Sequence, residues 1–250
     1  MLALAVMLSL RFHLGDVSFA ADAAKQTPPR EAPPRKSSGV KFRPPQTAAS
    51  NSTPSVRVTG GSRGTGDNSV TLDVLAPDQA GQTTLEQPSL FWFQSRPATA
   101  KFELTVLQEN KVKPLVQFSV DRPMKTGIQR LKLSEHGAKL EPGVEYQWIV
   151  ALVTDAENRS TDLVASGVVK RVAPTADLKA NLAKAAPEEL ASVYADSGIW
   201  YDALAALSDQ IEAHPENKEL RQARADLLQQ VGLKAAAQFE ANEVMSSRAK

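Results

Sequence analysis

The fold of this 250-residue chain is decided by the stretch Leu140-Glu141-Pro142-Gly143-Val144-Glu145-Tyr146-Gln147-Trp148-Ile149-Val150-Ala151-Leu152. Its first half indicates a turn, because Pro and Gly are the residues whose backbone preferences suit tight corners. In its second half Tyr146 and Trp148 flank the polar Gln147, a pattern typical of a strand with one buried face. The stretch therefore predicts a turn that leads into a β-strand from Tyr146 to Val153.

The same alternation extends outward in both directions, from Val70 to Val172. Its clearest instance is Phe102-Leu104-Val106, where each apolar residue is followed or preceded by a polar one. Seven strands are predicted in all: Val70 to Val74, Leu90 to Phe93, Phe102 to Val106, Leu115 to Val120, Ile128 to Leu133, Tyr146 to Val153 and Leu163 to Val172. Short strands at regular spacing, separated by Pro and Gly turns, predict a small antiparallel β-sandwich over residues 69–173.

The turn before Tyr146 resembles the tyrosine corner of fibronectin type III modules, where a Leu-x-Pro-Gly-x-x-Tyr run precedes a late strand. The resemblance implies a structural role for Tyr146, whose ring would enter the core while its hydroxyl bonds an upstream backbone group. Trp92 and Trp148 are interpreted as core residues of the same sandwich. The alternative for both tryptophans is an exposed platform for carbohydrate.

Helical spacing replaces the alternation after Pro174. Four helices are predicted, at Glu188 to Ala195, Trp200 to Ala213, Lys218 to Gln230 and Lys234 to Val244. Gly198 separates the first two, and His214-Pro215 ends the second, because the residue before proline is pushed out of helical geometry. The expected fold class is therefore α+β, with an immunoglobulin-like or fibronectin III-like sandwich followed by a C-terminal pair of helical hairpins over residues 174–250.

These helices resemble tetratricopeptide repeats, which recur about every 34 residues. Gly198, Trp200, Ala203 and Pro215 lie where such a repeat places its small, aromatic and terminating residues. Two repeats are too few for an independent solenoid, so we expect them to lean on the sandwich. The resemblance makes Trp200 and Tyr201 candidates for the floor of an exposed partner-binding groove.

The N-terminal segment predicts export. The first ten residues are apolar apart from Ser9, and Ser18-Phe19-Ala20 supplies the small residues of a processing site. We therefore assign residues 1–20 as a signal peptide and expect a periplasmic or extracellular location. The sequence contains no cysteine, which excludes a lipoprotein anchor, disulfides and cysteine-ligated zinc.

Residues 21–68 are predicted to be a disordered linker. Pro, Ser, Gly and Thr dominate this segment, and Phe42 is its only aromatic residue. Between Ala24 and Asn68, eight basic residues face only two acidic ones. The interpretation is a solvated tether, and the alternative is a basic arm that contacts an anionic polymer.

Three stretches together resemble the bacterial family known as domain of unknown function 928. They are Gly60 to Gly64 with Leu85 to Phe93, Tyr146 to Asp155 with Asn158-Arg159-Ser160, and Tyr194 to Leu204. The similarity spans roughly Gly60 to Gly232. It implies an exported protein with no assigned reaction.

The sequence gives no convincing catalytic, cofactor or metal site. Gly60 to Gly64 matches the Gly-x-Ser-x-Gly pattern around Ser62, but the strand and helix that a nucleophile elbow needs are not predicted there. The three histidines, His13, His136 and His214, are far apart. The loop from Asp155 to Asp162 could supply oxygen ligands for calcium, or simply turn-forming side chains, and both readings stay open.

The function predicted from these observations is a non-catalytic protein-interaction or scaffold module of the cell envelope. Its expected partner is another envelope or surface protein, with no nucleic acid, no cofactor and no membrane span in the mature chain. The alternative is a carboxylate-dependent hydrolase or a carbohydrate-binding protein of the envelope.

Overall fold

The computed structural model describes residues 39–45, 57–61, 70–108, 111–121 and 123–246. The predicted signal peptide, residues 1–20, lies outside these ranges, as does most of the predicted linker. All described residues belong to the same compact unit. None of the helices in this described part is long and apolar enough to cross a bilayer.

The strands form two sheets. The smaller sheet is antiparallel and contains, in order, β1 (Gly60–Gly61), β2 (Thr71–Val74), β4 (Ser89–Gln94) and β7 (Gly127–Lys132). The larger sheet contains, in order, β3 (Gly81–Thr83), β9 (Leu163–Arg171), β8 (Glu145–Val153), β5 (Lys101–Gln108) and β6 (Val116–Val120). Its pairs are antiparallel except β3 with β9, which is parallel.

Each of the seven predicted strands is present, and two further strands were not predicted. β1 consists of two glycines, and β3 has the sequence Gly81-Gln82-Thr83. Neither shows an apolar alternation, so pairing with β2 and β9 alone gives them their extended structure. The α+β class is confirmed.

Strand β4 is buried on both faces, and this places it at the centre of the fold. Trp92 lies towards the larger sheet, with its ring 6.3 Å from that of Phe102. Phe93 points the other way and packs 5.6 Å from Phe239 of a C-terminal helix. The smaller sheet is thus sandwiched between the larger sheet and helices, which explains why Ser89 to Gln94 shows no polar alternation.

Five α-helices follow the sheets: α1 (Ala176–Leu182), α2 (Leu190–Asp196), α3 (Trp200–Ala213), α4 (Lys218–Gln230) and α5 (Lys234–Ser246). The predicted bounds of α3 and α4 coincide with the observed ones. α1 was not predicted, and a 3-10 turn at Pro187–Glu189 delays the start of α2. Gly198 and Gly232 adopt positive φ angles of 77° and 75°, where the chain turns into the helix that follows.

Candidate functional site

Trp200 and Tyr201 do not line an exposed groove, so the prediction of a partner-binding surface at these two residues is wrong. Both side chains are 0% exposed. The Trp200 Nε1 donates to the Leu75 carbonyl oxygen at 2.8 Å, and the Tyr201 hydroxyl donates to the Val168 carbonyl oxygen at 3.0 Å. They are buried because the first turn of α3 packs onto the sheets.

The sheet side of this contact is equally closed. Trp148 Nε1 donates to the Tyr201 hydroxyl at 2.9 Å, so that hydroxyl both donates and accepts. Burial raises the pKa of Tyr201, which keeps the phenol protonated. Gly81 lies so close to Tyr201 that an added Cβ would be 2.6 Å from its ring. We call this contact between α3 and the strands the α3 interface.

Asp202 extends the α3 interface towards β3. Its carboxylate accepts hydrogen bonds from the Thr83 and Thr84 hydroxyls and from the Thr84 backbone N, the last at 2.9 Å. Burial raises the pKa of Asp202, and these hydrogen bonds counteract part of that rise. The carboxylate therefore joins helix to strand and is 3% exposed, which leaves it little access to a substrate.

The other residues predicted to be structural are buried or mark a turn. Tyr146 is 2% exposed, and its hydroxyl accepts a hydrogen bond from Glu141 N at 3.2 Å. Trp92, Trp148 and Ala203 all lie in the core. Pro215 follows the last residue of α3 by two positions.

The prediction of a disordered linker over residues 21–68 is wrong for the stretch 39–45. This stretch, which we call the N-terminal strap, packs on the helices with Val40 and Phe42 each only 8% exposed. The Phe42 ring meets that of Trp200 edge-on, with centroids 5.0 Å apart at an angle of 76°. Such an edge-to-face pair adds to the stabilisation from buried area.

The backbone of the strap is held by α4 and α2. The Gln230 side chain accepts a hydrogen bond from Phe42 N and donates one to the Val40 carbonyl oxygen, both at 2.8 Å. Arg43 N donates to the Ala195 carbonyl oxygen at 3.0 Å. One amide side chain therefore satisfies both backbone groups of an extended segment, as a neighbouring strand would.

The far end of the strap depends on Gly198. A Cβ at this position would lie 2.9 Å from the Arg43 carbonyl oxygen and 3.1 Å from the Pro45 ring. The Arg43 side chain also forms an exposed ion pair with Asp196 at 3.1 Å. A cavity of about 200 Å³ continues beyond Pro45, between the strap and the loop that follows β2.

A second part of the predicted linker is also ordered. Arg57 Nη1 donates to the carbonyl oxygens of Ala76 and Val231, at 3.1 and 3.0 Å, and Nη2 lies 2.8 Å from Asp78. Arg57 thus joins the loop after β2 to the turn before α5. Together with the strap, it ties residues that precede the sheets to the C-terminal helices.

The loop from Asp155 to Asp162 is organised by its own side chains. Asp155 Oδ1 accepts from Glu157 N at 2.9 Å, and Asp162 pairs with Arg159, which also binds Glu103. In the described ranges no group of three or more His, Cys, Asp or Glu side chains is placed to hold a metal ion.

The structure describes only part of the remaining sequence motifs. Gly60 and Gly61 form β1, whereas Ser62 and His13 lie outside the described residues. His136 stacks on Phe118, and His214 is exposed 3.9 Å from Glu216. The strap and the α3 interface therefore form the candidate functional site. The one sequence feature that could have indicated the strap is Val40 and Phe42, alternating apolar residues inside a proline-rich segment.

Comparison with known proteins identifies a family. Residues 58–241 match the family model described as Domain of Unknown Function (DUF928), which is more than half of the chain, so the chain belongs to this family. Among curated proteins, none matches the chain. A solved structure, a multi-domain immunophilin from Arabidopsis thaliana, aligns at 10% identity over 72% of this chain and 95% of its own, with a TM-score of 0.18. A TM-score this low does not indicate a shared fold.

Proposed function

We propose that this family member is a non-catalytic protein-interaction module whose helices hold an extended peptide segment. The observation that carries the proposal is the place where the N-terminal strap packs on α2, α3 and α4, which we call its seat. Gln230 bonds the backbone at Val40 and Phe42, while the Phe42 side chain packs on Trp200. Backbone hydrogen bonds combined with one aromatic anchor are a common means of recognising extended peptides.

The strap acts as an internal ligand of this seat. A segment tied to its own site has a high effective concentration, so a partner must compete with it. The partner that fits is another envelope or surface protein with an extended segment of similar chemistry, namely an apolar residue, an aromatic residue and then Arg-Pro. Asp196 supplies the acidic group that such an arginine would meet.

Two features support the finer architecture that we propose for this module. Gly198 and Gly232 share nearly the same positive φ and lie one tetratricopeptide-like period apart, and α2 packs on α3 as α4 does on α5. The hydrogen bond from Glu141 N to the Tyr146 hydroxyl supports a fibronectin III-like tyrosine corner. We therefore propose a fibronectin III-like sandwich with two tetratricopeptide-like hairpins leaning on it.

We also propose that the module is exported to the periplasm or beyond. The support is the apolar run from Met1 to Leu10 and the small residues around Ala20. Because the sequence has no cysteine, the proposal does not include a lipid anchor.

The test uses the full chain without the Phe42 side chain, which is the aromatic anchor of its own strap. Phe42→Ala should free the seat, and a synthetic peptide of residues 38–47 should then bind, as measured by titration calorimetry. The unmodified chain should bind this peptide at least tenfold more weakly, because its own strap occupies the seat.

Two controls separate recognition of the strap from nonspecific attachment. A peptide carrying Phe42→Ala should not bind, and Gln230→Ala added to the Phe42→Ala chain should abolish binding. Gln229→Ala, at an exposed neighbour on the same helix, should leave binding unchanged. Equal binding of both peptides, or no binding to a folded Phe42→Ala chain, would contradict the proposal.

A further inference from the structure

A second cavity lies between the two sheets, at the side where each sheet ends. β6 forms one edge of the larger sheet and β7 forms one edge of the smaller one. The cavity between them measures about 370 Å³, which falls within the range of small-molecule sites. We call it the edge cavity, and it is separate from the strap.

Strand pairing shows which side chains face the edge cavity. Phe118 is paired with Leu104, and Gln129 with Trp92, so these four share the inner faces of the sheets. Arg130 alternates to the opposite face. Arg130 still contributes to the lining of the cavity, but its guanidinium lies over the Phe91 ring and pairs with Asp209 and Glu212 of α3, which offset its charge.

The Trp92 indole is the unusual feature of this wall. Trp92 is 2% exposed, and its Nε1 has no hydrogen-bond partner among the described residues. By contrast, the indole N–H groups of Trp148 and Trp200 each donate to an oxygen, at 2.9 and 2.8 Å. A buried donor without an acceptor costs about 1–3 kcal/mol, so a bound acceptor at Trp92 would relieve that cost.

The remaining lining restricts what such an acceptor can be. The lining combines the polar Ser119 and Gln129 with apolar side chains, which include those of Leu104, Val120, Met124 and Leu131. At the mouth lie the exposed Asp121 and Glu135, which repel anions, together with a stacked pair formed by Phe118 and His136 at 3.8 Å. An ammonium cation carries no hydrogen-bond acceptor and therefore cannot satisfy an indole N–H, which only donates.

We infer that the edge cavity binds an uncharged ring compound that carries a hydrogen-bond-accepting oxygen. The oxygen accepts from Trp92 Nε1, an atom that is covered in the unliganded chain and that the ligand reaches when the lining side chains shift, and the ring lies against the apolar side chains of the lining. An aromatic carbonyl compound and a saccharide both offer this chemistry. The inference does not depend on the strap, and peptide binding at the strap could fail without affecting it.

The test follows the indole N–H signals of the ¹⁵N-labelled full chain by NMR. The chain has three tryptophans, and Trp92→Phe identifies which signal belongs to Trp92. The probes are acetophenone, methyl glucoside, benzoate and benzyltrimethylammonium, each at millimolar concentration. Acetophenone or methyl glucoside should move the Trp92 signal while those of Trp148 and Trp200 stay in place, and which of the two acts distinguishes the aromatic from the saccharide source.

A pair of variants on β6 locates the effect. Val120→Phe should fill the cavity and abolish the shift, whereas Gln117→Phe, at an exposed outer-face position of the same strand that does not line the cavity, should preserve it. The inference is overturned if neither neutral probe moves the Trp92 signal of the native chain, or if benzoate moves it as far as acetophenone does.

Discussion

The α3 interface and the edge cavity are both lined by buried aromatic side chains, yet they differ in how their polar atoms are treated. At the α3 interface Trp148, Trp200 and Tyr201 all find partners within the chain. At the edge cavity Trp92 is as deeply buried but finds none among the described residues. The difference teaches that complete pairing of buried polar atoms suits a structural contact, whereas the unpaired Trp92 donor is the group on which the proposal for the edge cavity rests.

The largest loss of stability is expected when a buried positive charge that contacts α3 is removed. Arg224 of α4 binds Glu240 of α5 at 2.9 Å and Ser208 of α3 at 3.1 Å, and the Glu240 side chain is 1% exposed. Arg224→Met would remove the hydrogen bonds of that buried carboxylate and leave it only the more distant Arg221, and we expect a loss of about 3–5 kcal/mol in the free energy of unfolding. Urea titration followed by circular dichroism measures it.

The control for this variant is Arg221→Met. Arg221 lies 3.8 Å from the same carboxylate but is partly exposed, so we expect a loss below about 1 kcal/mol. Equal losses in the two variants would show that Glu240 does not depend on Arg224.

A matched pair of tryptophan variants compares the two regions directly. Trp200→Phe and Trp92→Phe remove the same atoms from equally buried positions. Only the first leaves a buried acceptor, the Leu75 carbonyl oxygen, without its donor. We expect Trp200→Phe to cost about 1–3 kcal/mol more than Trp92→Phe, measured by the same urea titrations. Equal costs would contradict the distinction between the regions.

How far the sequence could anticipate these regions depends on the range of the interactions. Strand alternation and helix breaks such as Gly198 and Pro215 are local, and the strands and helices they predicted are present. Whether Trp200 and Tyr201 are exposed depends on contacts with Leu75 and Val168, which are remote in sequence. The periodicity of a helix does not show whether its apolar face lines an exposed groove or packs against another element.

The strap and the edge cavity were missed for different reasons. Residues 21–68 have a proline-rich composition typical of disorder, and two apolar residues, Val40 and Phe42, do not change that average. Their burial depends on contacts with the helices, which composition does not reveal. The edge cavity depends on strand register, since pairing of Trp92 with Gln129 decides which side chains face inward. Sequence alternation gives the faces of each strand but not its partner. The hydrolase alternative and the export of the chain stay predictions.

The smallest expected effect concerns the charge at the α3 interface. Because burial raises the pKa of Asp202, the folded state holds this proton more tightly than the unfolded state does. The resulting stabilisation is complete below the ordinary pKa of aspartate and is lost as the pH rises through the raised value.

The Asp202→Asn variant isolates this effect. The stability of the native chain minus that of the variant should fall as the pH rises through that window, as measured by urea titrations at a series of pH values. Carboxylates whose pKa is lowered, such as Glu103, act in the opposite direction but are common to both chains. A difference that is independent of pH, or that grows with pH, would contradict the raised pKa.

The strap also determines when the fold can be completed. Gln230 donates to the Val40 carbonyl oxygen across a separation of 190 residues. The strap, near the start of the described residues, can therefore dock only after α4, near their end, is present. During synthesis Phe42 is therefore without its full set of partners until α4 has been made, because Trp200 and Gln230 both have to be present. An early segment of the chain is thus fixed only by a late one, at the strap and again at Arg57, which donates to the Val231 carbonyl oxygen.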